Sequence, residues 1–151
     1  MIEFARGDIL GDGADALVNT VNCVGVMGKG IALAFRNAYP RNFALYREEC
    51  AAGRLRPGCV FVTETGELFG PKYILNAATK DHWRDPSRTE WARSCAEGIA
   101  RLCGELGLES VAVPALGCSN GGLSWSVVRP ALVEALSDVP ARVRLYEPFG
   151  G

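Results

Sequence analysis

Histidine occurs once in this chain, at His82, and lysine only at Lys29, Lys72 and Lys80, with arginine filling the other 13 basic positions. None of the six cysteines (Cys23, Cys50, Cys59, Cys95, Cys103, Cys118) forms a C-x-x-C pair. One histidine and scattered thiols make a poor ligand set, so no metal is expected. No secretory leader is expected either, because "MIEFARGDIL" has no basic stretch followed by an apolar one. The expected compartment is therefore the cytoplasm, and the cysteines are expected as buried thiols rather than disulfides. No apolar run approaches the ~20 residues of a membrane span, so no membrane partner is expected. The net charge of -1 gives no global field toward nucleic acid, and any such contact must be local. The phosphate-binding pattern G-x-x-x-x-G-K-[ST] is absent, since Lys29 is followed by Gly30, and so is G-x-G-x-x-G between a strand and a helix. A nucleotide triphosphatase or a dinucleotide dehydrogenase is thereby unsupported.

With no internal repeat, low-complexity tract or linker, the 151 residues are expected as a single domain over 1–151. "MIEFARGDI" reads as a first strand and "DALVNTVN" as a short buried one. Residues 30–38 and 40–52 read as two helices parted by Pro40. "CVFVTET" and "KYILNAAT" read as strands, and 87–107 as a helix with an apolar stripe through Trp91, Cys95, Ile99, Leu102, Cys103 and Leu106. "SVAVPAL" is expected as a buried strand, "WSVVRPALVEAL" as a helix with Pro130 early in it or at a kink, and "ARVRLYEPF" as the last strand. Strands alternating with helices imply an α/β sandwich whose largely parallel sheet is covered on both faces. Ligands of such sheets bind beyond the strand carboxyl ends.

Two glycine loops follow strands and precede helices: "CVGVMGKGIA" and "PALGCSNGGLSW". They are expected to converge at one end of the sheet. Glycine allows positive φ and close ligand approach, and the N–H groups of such loops and helix starts suit an anion. Two facing loops suit a diphosphate. Asn19 and Asn22 end the strand before the first loop. An amide suits the vicinal hydroxyls of a ribose. Asn22, nearer the loop, is expected on the ligand and Asn19 on loop backbone.

Taken together, "GDIL...ADALVNTVNCVGVMGKGIALAF", "ILNAATKDHWR" and "PALGCSNGGLSW" resemble the macrodomain family, and within it the macrodomains of the DarG antitoxins. The likeness covers nearly the whole chain. It implies a three-layer α/β/α macrodomain with a mixed, largely parallel central sheet, and ADP-ribose as ligand or product, with no cofactor. It also implies roles by position. Asp8 accepts from the adenine amino group, with the Ile9 backbone beside the ring, and Asn22 contacts the distal ribose. Gly25 to Ile31 (Gly28, Lys29, Gly30 and Ile31 among them) and Gly117, Cys118, Ser119, Asn120, Gly121, Gly122 and Leu123 wrap the phosphates and that ribose. Such proteins remove ADP-ribose that a DarT-type toxin attaches to thymidine in single-stranded DNA, and Lys80 is the catalytic lysine to which the resemblance points. Modified single-stranded DNA and the toxin are the implied partners. The domain is expected as a monomer and as the N-terminal part of a longer antitoxin. Three positions depart from the family: "NAATK" replaces the frequent "NFPTK", Ser119 replaces a glycine, and Gly121 stands where the related terminal ADP-ribose protein glycohydrolase has an aspartate.

Lys80 follows a buried strand at the sheet end that carries both loops. Unlike guanidinium, an amine can lose its proton, and burial favours its neutral, nucleophilic form. Either neutral Lys80 attacks C1 of the distal ribose, or the ammonium assists departure of the base. His82, Trp83 and Arg84 follow directly and are expected to hold the thymine or a flanking nucleotide by stacking. The bland alternative has Trp83 capping the core and Arg84 paired with Asp81 or Asp85. Lys29 could meet phosphate or steady its loop, and Cys23 and Cys118 are expected to pack rather than react. Tyr146 or Phe149 is expected over the adenine face. Two other functions fit the same pocket: a reader that binds ADP-ribose without hydrolysis, and a hydrolase of ADP-ribosyl-glutamate or O-acetyl-ADP-ribose.

Overall fold

The computed structural model describes residues 1–148. Its six strands are β1 (Ile2–Ala5), β2 (Ala16–Val21), β3 (Val60–Glu64), β4 (Tyr73–Ala78), β5 (Ser110–Val113) and β6 (Arg142–Tyr146). Across the sheet they lie in the order β1-β6-β5-β2-β4-β3. All pairs are parallel except β3 with β4. The carboxyl ends of five strands therefore share one edge, and β3 begins there. Four helices cover the sheet: α1 (Gly30–Ala38), α2 (Pro40–Ala51), α3 (Thr89–Glu105) and α4 (Trp125–Leu136).

Strand pleating sends alternate residues of β2 to opposite faces. Ala16 and Val18 pack with Ile99 of α3 and Val128, Leu132 and Leu136 of α4. Leu17 and Val21 face the other way, toward Phe35 of α1 and Tyr46 of α2. Both faces are dry, which is why β2, β4 and β5 read as continuous apolar runs. Burying each of these large side chains contributes about 1.5–3 kcal/mol. The three-layer α/β/α expectation holds, and no helix is long and apolar enough to cross a membrane among the described residues.

Two elements differ from expectation, the first and last strands, while α4 spans the expected residues. The first strand stops at Ala5, not at residue 9. Gly7 takes φ +110, a value that side chains resist, and turns the chain. Asp8 then accepts the Leu10 N–H at 3.0 Å and starts a 3-10 turn at Ile9–Gly11. The last strand ends at Tyr146, and Phe149 lies outside the described residues. Pro130 sits inside α4, in its second turn, without ending it.

A chain of uncharged polar groups runs under the α2 face. Asn42 and Asn76 form a reciprocal amide pair, with Asn76 Nδ2 donating at 2.8 Å and Asn42 Nδ2 at 3.1 Å. Thr63 donates to Asn42 Oδ1 at 2.6 Å, and Asn19 Nδ2 lies 3.4 Å from Asn76 Oδ1. Asn19 therefore does not serve loop backbone, as expected from its place in the sequence. In the sheet register it sits directly beside Asn76, on the α2 side. Removing one partner leaves the others buried and unpaired, a cost of about 1–3 kcal/mol per group. Asn76→Ala is expected to destabilise the domain by about 2–4 kcal/mol in denaturant unfolding, and Thr63→Val by about 1 kcal/mol. Equal small losses would show that the chain is not cooperative.

Candidate active site

Asn22 builds the first glycine loop. Its Oδ1 accepts the Val24 and Val26 N–H groups at 3.1 and 3.4 Å, and its Nδ2 donates to the Val26 carbonyl at 2.8 Å. From α2, the Tyr46 hydroxyl lies 2.8 Å from both Oδ1 and the Asn22 carbonyl. Those bonds occupy Oδ1 and one of the two amide N–H groups, so one N–H remains for a ligand. Met27 anchors the loop from below, fully buried against Val21, Tyr46, Leu55 and Ala78. Gly30 has φ +55 and opens α1, and Lys29, the capping position before it, makes no side-chain cap.

The second loop meets the first at this point. A Cβ on Gly30 would lie 2.9 Å from Asn120 Nδ2, so the expected convergence of the two loops is observed. Gly117 and Gly122 both take φ +77, and the Leu123 N–H closes the loop on the Gly117 carbonyl at 2.9 Å. No described residue other than glycine has positive φ, so the serine that replaces a glycine at Ser119 meets no backbone strain there. Gly121 is closed to any side chain, because a Cβ there would collide with Ser87 Oγ and the Gly117 carbonyl. The aspartate of the related glycohydrolase has no room in this loop. Like α1, α4 starts without a side-chain cap, at Ser124, and neither helix has an acid in its first turn. Both N-termini thus present unpaired N–H groups and a positive dipole end.

Next to the first loop, on the side away from the second, β4 ends and the chain continues to Lys80. The Cys23 N–H donates to the Asp81 carbonyl at 2.9 Å, and the Cys23 thiol lies 3.4 Å from the Lys80 carbonyl. The lysine backbone is thereby tied to the first loop. Lys80 Nζ donates to the Trp83 carbonyl at 3.2 Å. Partial burial lowers the Lys80 pKa, and the nearby positive charge of Lys29 lowers it further, with Asp85 acting in the opposite sense. Trp83 is 50% exposed, so it does not cap the core. The Arg84 guanidinium sits 5.3 Å over its ring and forms no ion pair with Asp81 or Asp85, and the His82 ring packs 5.2 Å away. The three side chains expected at a base thus form one stacked, solvent-facing group. Ser87 returns the segment to the second loop, donating its N–H to the Gly121 carbonyl at 3.0 Å.

At the other end, Asp8 is exposed and Ile9 is buried among Ala14, Leu17 and Phe35. Tyr146 packs on this cluster, and its hydroxyl donates to Asp12 Oδ2 at 2.7 Å. Burial pushes the thiols up, Cys23 to about 12 and Cys118 to about 11, so neither is a ready thiolate. Sequence reasoning missed Tyr46 and Ser87. Tyr46 looks like any apolar position of α2, and nothing in "RDPSR" announces a contact with a loop more than thirty residues on. A separate depression of about 430 Å³, lined by Ile2, Phe4, Arg129, Val133 and Ser137, lies along edge strand β1 and shares no residue with this site.

This geometry has close counterparts among known proteins. The Macro domain family model matches residues 18–132. The macrodomain of Mycobacterium tuberculosis DarG is 47% identical, superposes with a TM-score of 0.95, and is matched over 98% of each chain. That of Thermus aquaticus DarG is 44% identical with a TM-score of 0.93, over 98% of this chain and 99% of that one. Thermosipho africanus DarTG in complex with ADP-ribose is 29% identical with a TM-score of 0.91, over 99% of this chain and 42% of that one. The curated Mycobacterium tuberculosis relative, a DNA ADP-ribosyl glycohydrolase, is 47% identical over 100% of this chain, which spans 43% of that protein. The family match, the superposition and the paired glycine loops agree: the chain belongs to the macro domain family, in the branch of the DarG macrodomains.

Proposed function

We propose that this domain hydrolyses the bond between ADP-ribose and thymidine bases of single-stranded DNA, with Lys80 as its catalytic residue. The observation that carries the reading is a partly buried amine with a lowered pKa, tied to one of two adjoining loops whose helix N-termini are uncapped. The diphosphate lies on those N-termini. The remaining Asn22 N–H reaches a hydroxyl of the distal ribose, and the free oxygen of Asp8 takes the adenine amino group. The names of the full-length relatives support the DNA linkage.

Neutral Nζ forms a bond to C1 of the distal ribose as the base leaves with the former bonding pair. The proton lost from Nζ neutralises that base. The sugar ring opens to a Schiff base, water adds at C1, and the amine is released with ADP-ribose as product. These steps ask for no further cofactor. A DarT-type toxin is the functional partner on this reading, and the cytoplasm is where the two act.

Lys80→Ala is expected to abolish release of ADP-ribose from a modified single-stranded oligonucleotide, read as its mass, while still binding ADP-ribose. Lys80→Arg fails equally, since guanidinium keeps its proton. Unimpaired variants would remove Lys80 from the mechanism, and an inert wild type would make the domain a reader or direct it to another linkage. Borohydride trapping is expected to leave an adduct on Lys80 during turnover. The rate is expected to rise with pH through an inflection below the ordinary lysine range, because the neutral amine is the active form. Lys29→Gln removes a repelling charge and moves that inflection upward; an unmoved inflection would argue against the neutral amine. Gly121→Ala is expected to displace the second loop and weaken ADP-ribose binding about tenfold, as overpacking does.

A further inference from the structure

We propose that the DNA strand flanking the modified nucleotide crosses the β4–β3 corner of the sheet, on a rim formed by Arg56 and the Arg88–Trp91 stack. This rests on the glycohydrolase reading given above. Along the sheet edge the site runs from Asp8, after β1, past the two loops at β5 and β2, to Lys80 after β4. An ADP-ribose laid with its adenine at Asp8 has its reactive carbon at the β4 end. Whatever is attached to that carbon must continue toward β3, the last strand in that direction.

The ground there is well built. Because β3 is antiparallel, the turn that leads into it lies at the same edge as Lys80. The Gly58 N–H donates to the Ala78 carbonyl at 2.7 Å, and the Ala78 N–H to the Cys59 carbonyl at 2.9 Å. The start of α3 packs on the same turn. Ser94 Oγ donates to the Gly58 carbonyl at 2.9 Å, and a Cβ on Gly58 would lie 3.9 Å from Trp91 Cα. Arg56, Arg88 and Trp91 are thereby gathered around the turn that pairs with Ala78, two residues before Lys80 in the chain. Arg56 is exposed and makes no ion pair among the described residues. The Arg88 guanidinium sits 4.9 Å over the Trp91 ring, repeating the Arg84–Trp83 arrangement. The Arg88–Trp91 stack and the free Arg56 at this turn, with the Arg84–Trp83 stack after Lys80, match the face of an unpaired base and the charge of a phosphate. A duplex hides those base faces, so the partner is a single strand. Asp81, Asp85 and Glu90 stand on the same segment, and Glu90 lies 3.5 Å from Arg88. The track is thus local, and its salt dependence is shallow.

The test measures affinity in a Lys80→Ala background for a single-stranded oligonucleotide carrying one ADP-ribosylated thymidine, for free ADP-ribose, and for the same oligonucleotide made double-stranded. The single strand is expected to bind about tenfold more tightly than ADP-ribose. Arg56→Gln with Arg88→Gln is expected to close that gap, leave ADP-ribose affinity intact, and lower the salt slope by about 0.7 per arginine. Unchanged ADP-ribose affinity also shows that the variant is folded. A gap that is absent, that survives both substitutions, or that is equally large for duplex overturns the track. If the gap depends on the arginines but the protein with Lys80 intact leaves the oligonucleotide modified, the hydrolase reading fails and the track stands.

Discussion

One amide holds the ligand end of this domain in shape. Asn22 stands where β2 runs out, and its side chain replaces the sheet bonds that the backbone loses there. It spends an acceptor on the loop ahead, a donor on the same loop, and a further contact on Tyr46 of α2. The loop it shapes then sets Gly30, at the start of α1, against Asn120 of the second loop. Removing the amide would free two loop N–H groups and leave the Tyr46 hydroxyl only the Asn22 carbonyl. Loop N–H groups left without a partner are costly, and the shared Tyr46 contact couples the loop to the helix behind it.

Beneath that loop the support is also uncharged. Thr63, Asn42, Asn76 and Asn19 link the edge strand, α2 and the two central strands through hydrogen bonds alone. Neutral amides in a dry layer give direction without the desolvation cost of buried ions. The chain is left open at one end, where Asn19 Oδ1 is buried without a partner and its amide nitrogen meets Met27 sulfur at 3.8 Å. Only neutral groups therefore lie in the floor beneath the first glycine loop, and Lys29 and Lys80 supply the charge above it.

The fold was largely legible because strand and helix periods are clean and glycines mark each turn toward the ligand. Lysine scarcity singles out Lys80, which the fold places just past β4 with its backbone tied to the first loop. The first strand was read too long because "MIEFARGDI" alternates well; only the positive φ of Gly7 reveals the bend. The two asparagines were harder. Their chemistry is the same, and which neighbour each one meets depends on strand register and on α2, neither of which is written in "VNTVN". Tyr46, Ser87 and the Arg56 turn were invisible for the same reason, as each acquires its meaning from a contact remote in sequence.

The crowding at Gly121 has a consequence for how this domain can change. Ser87 and the Gly117 carbonyl fill the space where a side chain would begin. An acidic partner for the lysine cannot enter by a single substitution, because the first step is a collision. Ser87 must shrink and the loop must shift before such a residue is tolerated. Acquiring such an acid therefore takes coordinated change at two places remote in the chain, Ser87 and the second loop.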